Sequence, residues 1–165
     1  MVDNTPKSAA VNSTHKPQRQ GPQTSRLRVS EATATVTGRP DFNADDILLG
    51  SGLNTVSIAA SAATFGSYEY RVINFTLTLG LVSGQYTFTS GQAGDIHALS
   101  YVEFATIGGN EVYYNCEGLS GTLDLQVEGS TYTLTAFSFS AKDSEGIDLT
   151  VSGNLAVSST LCECD

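Results

Sequence analysis

The sequence has no Trp, a single Met, two His and three Cys in 165 residues. No apolar run is longer than a handful of residues, far short of the twenty or so needed to cross a bilayer as a helix, so no membrane span is expected. The first thirty residues contain no apolar h-region, so no secretory leader is expected there either. Charged residues make up only 15% of the chain, and Lys and Arg together number eight. The length is that of one domain. Sixteen Gly and a strong Ser and Thr content describe an all-β chain better than a helical bundle.

Basic residues are concentrated at one end. Lys7, Lys16, Arg19, Arg26 and Arg28 fall within residues 1–28, opposed only by Asp3, whereas the remainder keeps Arg39, Arg71 and Lys142 against 16 acids. Nucleic-acid affinity comes mainly from Lys and Arg releasing counterions from phosphates, so binding of DNA or RNA by the acidic body is not expected. The natural electrostatic partner of the basic segment is an acidic body, its own or a neighbour's.

Residues 1–28 carry Pro6, Pro17 and Pro22, three of the four prolines, and no aromatic residue. Such a segment buries too little surface to offset its ordering entropy, which predicts a disordered or extended arm, ordered only on a partner. From Val29 the pattern turns to period two, the mark of strands with one buried face. Ala32, Ala34 and Val36 alternate with threonines; Ile73, Phe75, Leu77 and Leu79 alternate with polar residues; Tyr86 and Phe88 form a further short segment. Gly108-Gly109-Asn110 predicts a tight turn between paired strands. Leu119, Leu123, Leu125 and Val127 are assigned to one face, and the phase slips near Ala136-Phe137, which predicts a bulge. Ile147, Leu149, Val151, Leu155 and Val157 make the last alternating run, after a turn at Asp143–Gly146. The stretch 58–64 is ambiguous between a helical turn and a small-residue strand. The expected architecture is an antiparallel β-sandwich or jelly roll of about eight or nine strands. It comprises an arm over 1–28, a sandwich over 29–160 and a Cys-containing tail over 161–165.

The stretch GTLDLQVEGSTYTLTAFSFSAKDSEGIDLTVSGNL, Gly121 to Leu155, resembles the closing strands of small uncharacterised β-sandwich lipoproteins of Bacteroidetes. The shared features are a G-T-L strand, a Phe-x-Phe strand, an acidic-Gly turn and a strand ending near Ser-Gly. The resemblance covers about a fifth of the chain and implies a sandwich, with no activity attached. The lipobox of those proteins has no counterpart in this sequence.

Candidate chemistry is sparse. A Ser-His-Asp arrangement would have to use His97, in Asp95-Ile96-His97, with no G-x-S-x-G elbow, so turn chemistry beside a surface imidazole is the simpler reading. Tyr68, Tyr70, Tyr101, Tyr113 and Tyr114 are candidates for stacking on a glycan or small ligand, although strand tyrosines commonly cover a sheet while the hydroxyl stays wet. Asp41, Asn43 and Asp45 have the opening spacing of an EF-hand loop and are candidate calcium ligands. Asp46 stands where such a loop needs Gly, and Gly52 where it needs Glu. Asp143, Glu145 and Asp148 form a second acidic cluster in a hairpin turn. Cys116 alternates with Val112 and Tyr114 as a small buried residue would, and Cys162 and Cys164 end the chain. An odd number of thiols makes Cys162, Cys164 and Cys116 candidates for an inter-subunit disulfide. No cofactor other than calcium is indicated.

The expected function is therefore a non-enzymatic structural or assembly subunit, a homo-oligomer joined through its arm and its terminal cysteines, in an extracellular, surface or virion setting. The alternative is a secreted or surface binding module for a glycan, or one dependent on calcium.

Overall fold

The structure is a computed structural model that describes residues 30–63 and 68–158. The strands are β1 (Glu31–Val36), β2 (Phe42–Asn43), β3 (Asp46–Ser51), β4 (Thr55–Ala63), β5 (Tyr68–Thr78), β6 (Gly84–Thr89), β7 (Ile96–Ile107), β8 (Asn110–Glu128), β9 (Thr131–Lys142) and β10 (Asp148–Ser158). No helix occurs among the described residues. All strands belong to one antiparallel sheet of order β2-β1-β10-β9-β8-β7-β5-β4-β3, with β6 paired to β8 off this path. Most neighbours are consecutive in sequence, so the all-β expectation is met by a curled meander rather than by the two Greek keys of a jelly roll.

The short crossover from β2 to β3 draws the two ends of the sheet together. The Ala44 N–H donates to the Ala32 carbonyl on β1 at 2.9 Å, and the Asp45 N–H to the Ser61 carbonyl on β4 at 2.8 Å. The concave face is then filled by alternate side chains: Ala32, Ala34 and Val36 from β1; Ile58, Ala60 and Ala62 from β4; Ile73, Phe75 and Leu77 from β5; Phe137 and Phe139 from β9. Phe75 and Phe137 meet edge to face across the core at 5.0 Å between ring centroids. Burying a side chain of that size contributes about 1.5–3 kcal/mol.

The ambiguous stretch 58–64 enters β4 as far as Ala63, with Ile58, Ala60 and Ala62 buried on alternate positions as a strand requires. Gly108 and Gly109 both have positive φ, 60° and 82°, which lets a two-residue turn join Ile107 to its partner Asn110 without splaying the strands. The predicted phase slip in β9 is real: Leu134 and Phe137 are both buried, and the register shifts between them against β8 and β10. Three apolar residues assigned inward are exposed instead. Leu79 lies just past the end of β5 and Ile147 just before β10, where alternation no longer binds them. Leu119 is the extra residue of a bulge in β8, where the register shifts between Gly118 and Ser120. That bulge switches the inward phase from Cys116 to Leu123, a slip the sequence pattern does not announce.

Candidate functional site

One end of the curled sheet gathers the β1–β2 connection, the β2–β3 crossover, the start of β5, the β7–β8 turn and the β9–β10 turn. Its interior carries charge. On β5, Arg71 continues the inward phase of Ile73, Phe75 and Leu77; on β7, Glu103 continues that of Leu99 and Tyr101. Glu103 is 0% exposed. A carboxylate so placed is unfavourable unless paired and hydrogen-bonded. Arg39 supplies the pairing, with Nε 2.8 Å from Oε1 and 2.9 Å from Oε2. The Tyr101 hydroxyl donates to Oε1 at 2.5 Å. Arg71 donates to the Pro40 carbonyl at 2.5 Å and the Asp41 carbonyl at 2.7 Å. Each guanidinium also lies over a ring, Arg39 over Tyr114 at 5.8 Å and Arg71 over Phe42 at 5.5 Å. The connection Thr37–Asp41 is thereby latched across the mouth of the sheet by two arginines.

Asp143 completes the interior from the β9–β10 turn. Its Oδ1 accepts from the N–H groups of Glu145 and Ile147 at 2.9 Å and 2.8 Å, which shapes the turn. Among the described residues Asp143 Oδ2 and Arg71 Nε are buried without a hydrogen-bond partner. Burial, and then the charge of Glu103, push the Tyr101 phenol far above its ordinary value, with Arg71 opposing. Burial, then the charges of Glu103 and Asp143, push the Cys116 thiol up to about 11 against the pull of Arg39. A nucleophilic thiol needs the opposite shift, so this interior suits a structural plug.

The outer face at the same end is aromatic. Cross-strand register places Tyr70 on β5 opposite Phe104 on β7, and Phe104 opposite Tyr113 on β8. Tyr70 is 48% and Tyr113 61% exposed. On β8, Glu111 and Glu117 share this outer face with Tyr113, and both are exposed.

The structure separates the five candidate tyrosines. It brings Tyr70 and Tyr113 together through Phe104, a residue the sequence reading did not single out. Tyr101 is wholly buried with its hydroxyl committed to Glu103, which removes it from any stacking surface. Tyr114 points inward and lies half-buried under Arg39, not on the outer row. The side chain of Tyr68 lies outside the described part of the structure. Cys116 is likewise wholly buried, so folded copies cannot be joined through it; Cys162 and Cys164 lie outside the described residues, as do the arm over 1–28 and the tail over 161–165.

Asp41, Asn43 and Asp45 are exposed along the crossover. Asp41 and Asn43 line a shallow cleft of about 320 Å³ with Thr33, Thr35, Ser152 and Asn154. Among the described residues no three metal-ligating side chains converge. Asp148 pairs with Lys142 at 3.2 Å, so the second acidic cluster is divided between a turn and an ion pair. His97 is exposed, its Nε2 3.1 Å from the Thr78 hydroxyl on the neighbouring strand. The residues missed from sequence, Arg39, Arg71 and Glu103, did leave a signal: two of them break otherwise apolar inward rows.

No family model, curated protein or solved structure matches the chain.

Proposed function

We propose that the protein is a non-enzymatic structural subunit that self-associates, its basic amino-terminal segment answering the acidic exterior of another copy. The observation that carries this reading is the charge of that exterior. Arg39 and Arg71 are turned into the fold, which leaves Lys142 as the one exposed Lys or Arg among the described residues. Ten carboxylates of the described residues are exposed against it. Bodies so charged repel one another, and a basic segment of the same chain would offset that repulsion in a closely packed assembly. Residues 1–28 hold five basic residues and one acid.

Solution mass by light scattering tests the reading, on the full-length chain at about 0.1 M and about 1 M salt. An assembly that shrinks at high salt, and in a variant with Lys7, Lys16, Arg19, Arg26 and Arg28 changed to Glu, is the expected result. Mass lost only on adding reductant would move the joint to Cys162 and Cys164. A monomer in every condition would overturn self-association. A binding module for a glycan is the second reading, favoured by the row Tyr70–Phe104–Tyr113.

A further inference from the structure

We infer that the aromatic row Tyr70–Phe104–Tyr113 is the docking surface for the basic, proline-bearing arm of a second copy of this chain; this rests on the self-association reading and names its joint. The row crosses three adjacent strands, so it spans about 10 Å, enough for three residues of an extended peptide. It stands at a sheet edge, because β9 stops at Lys142 opposite Glu117 and no further strand flanks β8 over Asn110–Tyr113 among the described residues. Rings on an exposed sheet face beside carboxylates make a particular chemical demand. Aromatic faces favour proline rings, whose extended conformation is already set, and cations held over them. Glu111 and Glu117 bracket Tyr113 on its own face, and neither β7 nor β8 contains a Lys or Arg.

The arm meets that demand in composition. Pro6 is followed by Lys7, Pro17 is preceded by Lys16 and followed two residues on by Arg19, and no aromatic residue occurs in residues 1–28 to compete for the rings. Reach permits a neighbour. Glu31 begins β1, which pairs with β10 and β2 and with none of the three strands that carry the row. A chain of 29 residues spans up to about 90 Å at the polyproline rise, a length sufficient to bridge to another copy.

The test uses full-length protein throughout: the native chain, the variant Tyr70→Ala/Tyr113→Ala, and the variant Glu111→Lys/Glu117→Lys, which leaves the rings in place. Association is read by light scattering over a dilution series, folding by the melting curve, and competition by adding a synthetic peptide of residues 5–24. Both variants are expected to keep the native melting curve and to associate at least roughly tenfold more weakly, and the peptide to dissociate the native assembly. Native protein that assembles, with both folded variants assembling equally well, would overturn the docking surface while leaving self-association intact. A monomeric native chain would instead remove the reading on which it rests. An oligosaccharide that raises the melting temperature of the native chain but not of Tyr70→Ala/Tyr113→Ala, with assembly unchanged in the variant, would assign the row to a glycan. Cross-links from the arm found only within single chains would overturn the second copy as occupant.

Discussion

Arg71 and Glu103 are direct cross-strand partners on β5 and β7, yet each is bound by the connection Thr37–Asp41: Glu103 by the Arg39 side chain, Arg71 Nη1 and Nη2 by the carbonyls of Pro40 and Asp41. Two opposite charges that face each other inside a sheet would be expected to pair. Here they act as two anchors for a third element instead. The consequence reaches the surface, because both arginines of the body are used internally and the exterior is left acidic.

Removing Arg39 should therefore be costly out of proportion to its position on a loop. Arg39→Met leaves the Glu103 carboxylate buried with only the Tyr101 hydroxyl, and loss of one partner of a buried pair costs about 3–5 kcal/mol. Arg39→Met/Glu103→Gln removes the stranded charge while keeping an acceptor for Tyr101, and should recover at least half of that loss. Urea denaturation of the two variants checks this; equal destabilisation in both would show that the charge itself is not what the latch neutralises.

Alkaline pH should weaken the fold through Cys116. Its thiol ionises near 9.0 when unfolded and near 11 in the folded chain. The folded state thus holds the proton more tightly, and the contribution is complete below pH 9 and lost as pH rises to 11. A difference of that size corresponds to a loss of up to about 3 kcal/mol. Tyr101, also raised, adds in the same direction above its ordinary value of 10.0. Cys116→Ala should give a shallower fall in stability across this window. Under native conditions at neutral pH, alkylation of Cys116 should appear only once the protein is unfolded.

Alternation was enough to reveal the strands because the inner face of nearly every strand is apolar and its outer face is Thr, Ser or Asn, as in Ala32–Val36 and Ile73–Leu77. The two-glycine turn at Gly108-Gly109 was equally visible, since few other residues adopt positive φ twice in succession. Alternation carries no information about bulges whose extra residue is itself apolar, so Leu119 was placed on the wrong face. Nor does it show which strands lie side by side. The row Tyr70–Phe104–Tyr113 joins residues up to 43 positions apart, and it exists only through register. Arg71 and Glu103 were readable as charges in an inward phase, but their common link to residues 39–41 depends on how the sheet closes.

Gly153 should tolerate no side chain. It pairs with Ala34 across β1 and β10, and a Cβ there would lie 2.0 Å from the Thr33 carbonyl oxygen and 2.7 Å from the Ala34 Cα. Both obstacles are backbone, so the strands must part, and Gly153→Ala should cost about 1–3 kcal/mol or more. Gly50 on β3 is the matched control: nothing lies within 4 Å of its Cβ position, and it is not among the glycines with positive φ. Gly50→Ala should be neutral or slightly stabilising. Thermal melts of the two variants measure the contrast, and similar melting temperatures would contradict the close approach of β1 to β10.

Asp143 should respond to charge and to shape separately. Its Oδ1 holds the turn by accepting from two backbone N–H groups, while Oδ2 is buried with no partner among the described residues. Asp143→Ala loses the acceptor and leaves both N–H groups to find others, a loss of about 1–3 kcal/mol. Asp143→Asn keeps the Oδ1 acceptor and removes a buried negative charge that, like that of Glu103, acts on Cys116, so it should be close to neutral. The same substitution takes away one of the charges that raise the Cys116 thiol, so the alkaline fall in stability should begin at the same pH but be smaller and finish at lower pH in Asp143→Asn than in the native chain. If Asp143→Asn destabilises as much as Asp143→Ala, the carboxylate is needed for its charge, and Arg39 would then be answering two acids rather than one.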